Sequence, residues 1–223
     1  MLVMPASVGH SIVHYWAGKG YPIGWLFTPT AKRKPKEWLP FALDNGKFAS
    51  CVGFSPGQVF LRETPREWSG DLFLQSLSDF SLEELKPRWV TVPDVVADKE
   101  GTLKEWGEWF PRLSARFNFA WAFVVQDGMT PEDVPEEADV VFVGGSKKWK
   151  FRNLEKFAKA FPRVHVGGVY SLDALILCES LGVESVDGTG WFRNPTMQEI
   201  LARWFRIQAG EESLPDQMTL ALS

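Results

Sequence analysis

Short apolar runs, most of them followed by turn residues, recur along the chain and constrain its fold more than any other feature. The run Val140–Val143 is apolar at every position, and such a strand is typically buried on both faces, as in a parallel sheet. We predict eight strands of this kind: Leu2–Pro5, Ile23–Thr28, Leu39–Leu43, Trp89–Pro93, Phe119–Val125, Val140–Val143, Val164–Val166 and Val183–Val186.

Helical patterns lie between the later strands. Glu100–Phe117 and Phe151–Phe161 carry apolar residues at helical spacing, and Ser171–Leu181 opens with a serine cap and an acidic first turn. Pro195–Ile207 begins with Asn194 ahead of its proline, a cap-and-first-turn arrangement. This alternation of strands and helices predicts βαβ units and a parallel sheet.

Eight parallel strands would close an α/β fold of the TIM type, a single (β/α)8 barrel. We expect the barrel at residues 1–210 and a polar C-terminal tail at residues 211–223. The chain has 223 residues and poorly defined early helices, whereas about 250 residues are typical of this fold. We therefore expect a compact barrel that is trimmed in its N-terminal third. The alternative is an open doubly wound sheet, which normally carries a Gly-rich phosphate loop that residues 1–10 lack.

Composition narrows the classes of function. The net charge is −4, so the overall charge does not draw the chain to nucleic acid. Two cysteines and three histidines are too few for a disulfide framework or a Cys-rich zinc site. We therefore expect no zinc subdomain, metal or cofactor, and a reducing cytoplasm. For His10 and His14, which lie four apart, a turn or a partly exposed segment is favoured over a metal site.

Neither a membrane span nor a signal peptide is expected. The sequence has no run of about 18 apolar residues. Its N-terminus lacks the layout of a signal peptide, in which a charged segment precedes an apolar one.

Polar residues and glycine pairs follow six of the predicted strands. In a barrel of this type the carboxyl ends of the strands meet at one mouth, where functional groups collect. A single aspartate after a strand usually forms a turn or caps a helix, but carboxylates that converge on one cavity repel one another and are costly unless used. The residues are Asp44, Asp94, Gln126, Asp127, Asp187 and the pairs Gly144–Gly145 and Gly167–Gly168.

This set of groups suits chemistry on a nucleoside. One carboxylate can attack an anomeric carbon, and a second can act as general acid or base. A carboxylate, an amide and a backbone N–H also complement the hydrogen-bonding edge of a guanine-like base. The carboxylate accepts from the ring N–H and the amino group, while the amide and the backbone donate to the carbonyl.

Two basic stretches also follow strand ends, at Ala31–Lys36 and Ser146–Arg152. Solvated charged loops are the plain alternative, but two such loops on one rim predict a surface that contacts phosphates. The residues assigned to it are Lys32, Arg33, Lys34, Lys36, Lys147, Lys148 and Lys150.

The strand-end residues resemble the motifs of the tRNA-guanine transglycosylase superfamily. The closest resemblance is to its short phage and bacterial branch, the DpdA-like proteins linked to 7-deazaguanine insertion into DNA. Asp94 lies where the family has its base-recognising aspartate. The similar segments, in order, are Asp44–Phe48 (family Asp-Ser-Gly-Gly-Phe/Tyr), Val125–Gly128 (Val-Gln-Gly-Gly), Val143–Ser146 (Gly-Gly-Leu), Val166–Gly168 (Met-Gly-Val-Gly) and Gly182–Asp187 (Gly-Ile-Asp-Met-Phe-Asp). The resemblance extends from about Asp44 to Arg193.

The resemblance implies a (β/α)8 barrel and a base-exchanging transglycosylase. It implies that Asp187 is the nucleophile and Asp44 the general acid/base, and that a 7-deazaguanine such as preQ0 replaces guanine. It further implies a base site of Asp94, Gln126, Gly144 and Gly145, with Phe48 and Val166 on the two faces of the base.

The polynucleotide partner follows from a departure from the family. The tRNA enzymes of the family carry a Cys3His zinc subdomain that has no counterpart in this sequence, so we expect DNA rather than tRNA. A homodimer or a partner subunit stays open.

Two other functions also stay open. A nucleoside or glycoside hydrolase on the same barrel would use two carboxylates as acid and nucleophile. A non-catalytic nucleic-acid-binding subunit would bind a base or a polynucleotide without exchanging it. The presence of both Asp44 and Asp187 favours catalysis over binding alone.

Overall fold

A computed structural model describes residues 1–6, 11–55, 58–61, 67–192 and 195–214. Its strands are short, and most are buried runs of the kind expected from the sequence. They are β1 (Leu2–Met4), β2 (Trp25–Phe27), β3 (Phe41–Leu43), β4 (Val52–Ser55), β5 (Gln58–Leu61), β6 (Val90–Thr91), β7 (Trp121–Val125), β8 (Val140–Val143), β9 (Val164–Val166) and β10 (Ser185–Asp187).

Eight of these strands form a parallel barrel, in the order β1-β10-β9-β8-β7-β6-β3-β2. Between β1 and β2 the barrel is closed by backbone bonds, since Val3 N donates to the Pro22 carbonyl at 2.9 Å and Gly24 N to the Val3 carbonyl at 2.8 Å. The predicted single (β/α)8 fold is therefore confirmed, and the open-sheet alternative is wrong. β4 and β5 form a separate antiparallel hairpin.

The helices alternate with the barrel strands. They are α1 (Ser11–Gly18), α2 (Lys47–Cys51), α3 (Gly70–Leu82), α4 (Lys99–Ser114), α5 (Lys147–Ala160), α6 (Leu172–Ser180) and α7 (Pro195–Gln208), with 3-10 turns at Pro131–Asp133 and Thr189–Phe192. No helix joins β2 to β3, which is the expected trimming of the early part. The four predicted helices are confirmed as α4 to α7, whereas α1, α2 and α3 were not predicted.

Local sequence explains where several helices begin. The Ser171 hydroxyl accepts from the backbone N–H of Ala174 at 3.3 Å, as predicted for the start of α6. Ser69 caps α3 in the same way, accepting from Leu72 N at 3.2 Å. The predicted cap at Asn194 lies outside the described residues.

The core has two layers because strand side chains alternate between the faces of a sheet. Side chains on the outer face pack against the helices, where Phe157, Trp204 and Phe205 are completely buried. Burial of each such ring is worth about 1.5–3 kcal/mol. The inner layer fills the barrel with Met4, Leu26, Ala42, Trp89, Ala122, Val124, Val140 and Phe142. Inward-facing polar residues beyond this layer therefore lie at the mouth.

The start of the predicted tail lies against α7. Glu212 forms ion pairs with Arg203 and Arg206, and Leu214 packs against the core. Residues 215–223 of the tail lie outside the described part. In the described ranges, no helix has both the length and the apolar character needed to span a membrane.

Candidate active site at the mouth of the barrel

Three aspartates from separate strands meet at the mouth. Asp44 follows β3, Asp94 follows β6, and Asp187 is the last residue of β10. Burial raises the pKa of Asp44 to about 7, and the charges of Asp94 and Asp187 add to that rise. The Gly46 N–H, which donates to Asp44 Oδ2 at 3.1 Å, acts in the opposite direction. A carboxyl that titrates near neutral pH can both give and take a proton under working conditions.

Asp94 is buried and held by two side-chain amides. Asn45 Nδ2 donates to its Oδ1 at 2.8 Å, and Gln126 Nε2 donates to its Oδ2 at 2.7 Å. Burial raises the pKa of Asp94, while the Asn45 bond, the charge of Lys47 and the Gln126 bond oppose the rise. Each oxygen accepts one protein hydrogen bond, so each keeps capacity for a ligand N–H. Asn45 was not predicted as a site residue.

The orientation of the Gln126 amide is fixed by the backbone of the β6–α4 loop. Gln126 Oε1 accepts from Ala97 N at 2.9 Å, so its Nε2 must face Asp94. Ala97 adopts φ of 59°, a conformation that few residues other than glycine favour. One Gln126 N–H donates to Asp94, and the amide carries a second N–H that can donate to a ligand.

Asp187 is held by one donor on each carboxylate oxygen. Gly168 N donates to Oδ1 at 3.0 Å, and His165 Nε2 lies 3.1 Å from Oδ2. The other ring nitrogen, His165 Nδ1, lies 2.8 Å from the Ser185 hydroxyl. Sequence reasoning missed both His165 and Ser185. The available signal was their inward position, since Ser185 is two residues before Asp187 and pairs with His165 in register.

The Gly144–Gly145 pair has no room for side chains. A Cβ on Gly144 would lie 2.8 Å from Val124 Cγ1, and one on Gly145 would lie 2.6 Å from Asp127 Oδ2. Gly145 also has φ of 72°, which favours glycine. Asp127 accepts from Ser146 N at 2.6 Å at the start of α5, so its role is structural.

The expected stacking of a base between Phe48 and Val166 is wrong. Val166 is completely buried among side chains of the outer core layer. It faces the helices because its neighbour His165 takes the inward position on β9. Phe48 lies at the start of α2 and is 49% exposed, so it is available to a ligand at the rim.

Lys47 braces the loop that carries Asp44. Its ammonium group forms an ion pair with Glu105 at 2.8 Å and lies 5.2 Å from the centre of the Trp68 ring. Trp68 Nε1 in turn donates to the Asn45 carbonyl at 2.9 Å. The loop between β3 and α2 is thereby tied to both α4 and the start of α3.

Some residues of the predicted basic surface are exposed to solvent, and others bind groups within the protein. Lys32 is half-buried and paired with Asp79. Lys150 is buried and donates to the Gly167 carbonyl, and burial lowers its pKa. Lys150 therefore does not belong with the surface lysines. The exposed members are Arg33, Lys34, Lys36, Lys147 and Lys148.

Of the two histidines near the N-terminus, the structure describes His14. His14 is exposed on α1, with its ring at 5.3 Å and 90° to Trp25. His10 lies outside the described residues. Among the residues that the structure describes, no cluster of three or more His, Cys, Asp or Glu side chains could hold a metal ion.

Comparison with known proteins adds no family assignment. No protein-family model matches the sequence, and no curated protein matches it significantly. The chemistry of the mouth is therefore what bears on function.

Proposed function

We propose that this protein is a base-exchanging transglycosylase of the tRNA-guanine transglycosylase type. It replaces guanine in a polynucleotide with a 7-deazaguanine such as preQ0, through a covalent bond between Asp187 and the sugar. The observation that carries the proposal is that three aspartates at one mouth have different partners. Asp187 accepts from Gly168 and faces His165, Asp94 is bound by two amides, and Asp44 titrates at about pH 7.

The first half-reaction uses Asp187 and Asp44. A carboxylate oxygen of Asp187 attacks C1′, and the glycosidic C1′–N bond breaks as the new C–O bond forms. The leaving guanine takes the bonding electron pair and a proton from Asp44. In the second half, Asp44 removes a proton from the incoming base, whose nitrogen attacks C1′ and releases Asp187.

The base is read along its hydrogen-bonding edge. Asp94 accepts from the ring N–H and the amino group, while Gln126 and the Gly145 N–H donate to the carbonyl. A 7-deazaguanine presents the same edge, so one site accepts both the leaving and the incoming base. Phe48 supplies a stacking face, and such stacking is worth about 1–3 kcal/mol per base.

The polynucleotide lies across the rim. The exposed Lys147 and Lys148 at the start of α5 contact its phosphates. A base that enters the mouth must leave its stack, so the substrate is single-stranded or flipped. The resemblance to the DpdA-like branch favours DNA over tRNA.

An exchange assay with DNA and tRNA in parallel tests the proposal. Wild type should incorporate labelled guanine or preQ0 into one of them and leave the strand intact, and Asp187→Asn should incorporate none. Asp71→Asn, an exposed change on α3, is the matched control and should behave like wild type. Exchange by Asp187→Asn at the wild-type rate would contradict the proposal.

Two other outcomes separate the alternatives. Guanine release that leaves abasic sugars, without incorporation, would indicate a hydrolase on the same two carboxylates. Binding of the polynucleotide with neither release nor exchange would indicate a binding subunit.

A further inference from the structure

A chain of three side chains runs from inside the barrel to the mouth. Ser185 Oγ lies 2.8 Å from His165 Nδ1, and His165 Nε2 lies 3.1 Å from Asp187 Oδ2. Ser185 and His165 are completely buried, whereas Asp187 is partly open, with 13% of its side chain exposed. The order of burial places Asp187 alone within reach of a substrate, and Ser185 is too deep to act as a nucleophile.

The chemistry of the three groups sets the direction of each hydrogen bond. An ionised carboxylate can only accept, so His165 Nε2 must carry the proton that bonds to Asp187. In the neutral ring Nδ1 is then an acceptor, and the Ser185 hydroxyl donates to it. The Ser185 hydroxyl, which can donate or accept, thus pairs with the tautomer of His165 that can hold Asp187.

The ring of His165 is also held by packing. Its centre lies 4.7 Å from the ring centre of Trp89 and 4.5 Å from that of Phe142. Both aromatic residues belong to the inner core layer, so the imidazole cannot swing away from Asp187 without disturbing that layer. With Gly168 N on the other oxygen, the plane of the carboxylate is fixed from both sides.

We propose that His165, oriented by Ser185, is a positioning residue that presents Asp187 to C1′ in the proposed base exchange. Either carboxylate oxygen can carry the sugar, because the other becomes the ester carbonyl and keeps its own donor. That donor stabilises the carboxylate as it leaves when the second base attacks. This inference rests on the proposed function for its catalytic consequence, but the tautomer can be measured without any substrate.

The tautomer is tested by 15N NMR of histidine-labelled protein. The chain has three histidines, and His165→Gln identifies the signals of His165 by their disappearance. We expect a protonated Nε2 and an unprotonated Nδ1 in the free protein. Protonation at Nδ1, either in the other tautomer or in an imidazolium, would overturn the role of Ser185. An unprotonated Nε2 would overturn the whole inference.

The catalytic consequence is tested by the single-turnover rate of covalent adduct formation, with a single-stranded DNA oligonucleotide that contains one guanine. His165→Leu removes the donor and should slow adduct formation by about 10²-fold, with oligonucleotide affinity unchanged within about twofold. His165→Gln keeps an N–H at the position of Nε2 and should recover to within about tenfold of wild type. Ser185→Ala should slow the step by about tenfold. His14→Gln is the control, an exposed change on α1.

The outcomes separate positioning from packing. Equal loss of rate in the Leu and Gln variants would show that His165 only fills space, and a wild-type rate in His165→Leu would overturn the inference outright. If His165→Leu does not fold, the Gln and Ser185→Ala variants decide. If wild type forms no adduct with DNA or tRNA, the proposed function fails, and the NMR result alone judges the arrangement of His165.

Discussion

Replacing Asp44 by asparagine should stabilise the protein more at pH 8 than at pH 5. The pKa of Asp44 rises from its usual 3.8 to about 7 in the folded state, through burial and the charges of Asp94 and Asp187. Because the folded state then binds a proton that the unfolded state has lost, wild-type stability falls as the pH rises from 3.8 through about 7. The amide of Asp44→Asn cannot ionise, so the stability of this variant does not fall for this reason as the pH rises.

The size of the effect follows from the pKa. At about 1.4 kcal/mol per pKa unit, Asp44 alone should cost wild type roughly 2.5 kcal/mol between pH 5 and pH 8. Asp44 is only half-buried by exposed area, and contact with solvent screens its charge, so the expected range is about 1–2.5 kcal/mol.

Urea unfolding of wild type and Asp44→Asn at several pH values measures this difference. The free energy of unfolding of the variant, relative to wild type, should rise steadily from pH 5 and level off near pH 8. Ser81→Ala changes no titratable group and should give a difference that does not depend on pH. A constant difference for Asp44→Asn would refute the idea that Asp44 titrates near neutral pH, and with it the basis for its proposed role as acid and base.

Three further predictions concern the base site, the rim and the opposite end of the barrel. Asp94→Asn should weaken the binding of labelled guanine by about 10–100-fold in equilibrium dialysis, because hydrogen bonds to a charged acceptor are worth about 1.5–3 kcal/mol, and unchanged affinity would exclude Asp94 from base reading. Alanine at both Lys147 and Lys148 should weaken oligonucleotide binding and lower the slope of log affinity against log salt by about 0.7 for each phosphate that is no longer neutralised, whereas an unaltered slope would remove these lysines from the interface. Burial acts to raise the pKa of Glu184, but hydrogen bonds from Arg163 and Arg88 outweigh burial and lower this pKa to about 2. Ionised Glu184 therefore stabilises the folded state above pH 4.5, the usual pKa of a glutamate, and this stabilisation is lost as the pH falls through about 2. Glu184 is only partly buried and solvent screens its charge, so Glu184→Gln should lower the free energy of unfolding by about 2 kcal/mol at pH 7 and by less at pH 2. An equal decrease at both pH values would refute a lowered pKa for Glu184.

The barrel could be predicted because its strands are nearly continuous apolar runs. Val140–Val143 and Val164–Val166 were predicted with the bounds that the structure has. Helix α3 was missed although Phe73, Leu77 and Phe80 are spaced for one buried helix face. The serines between these residues dilute the apolar pattern.

The wrong predictions at the site concern the direction in which side chains point from strands and helices. Val166 was expected at the mouth, but alternation along β9 gives the inward position to His165 and turns Val166 toward the helices. Lys150 was grouped with the surface lysines, yet it shares the buried face of α5 with Leu154 and Phe157, four and seven residues further on. The direction of both side chains could have been found by counting residues along the strand or the helix from the nearest buried residue.

The hydrogen bonds at the mouth could not be predicted in the same way. Asn45 meets Asp94 across 49 residues of sequence, and His165 meets Asp187 across 22. Such pairs depend on which strands are neighbours and on their register, and a single sequence specifies both only through the complete fold.

Intact mass spectrometry of the protein, mixed with a guanine-containing oligonucleotide and quenched under denaturing conditions, tests the central claim most directly. The sum of the protein and oligonucleotide masses, less one guanine, is the mass predicted for the adduct. Peptide mapping should place the modification on Asp187, and Asp187→Asn should give no adduct. An adduct that persists in Asp187→Asn, or base exchange by wild type without any adduct, would contradict the assignment of Asp187 as the nucleophile.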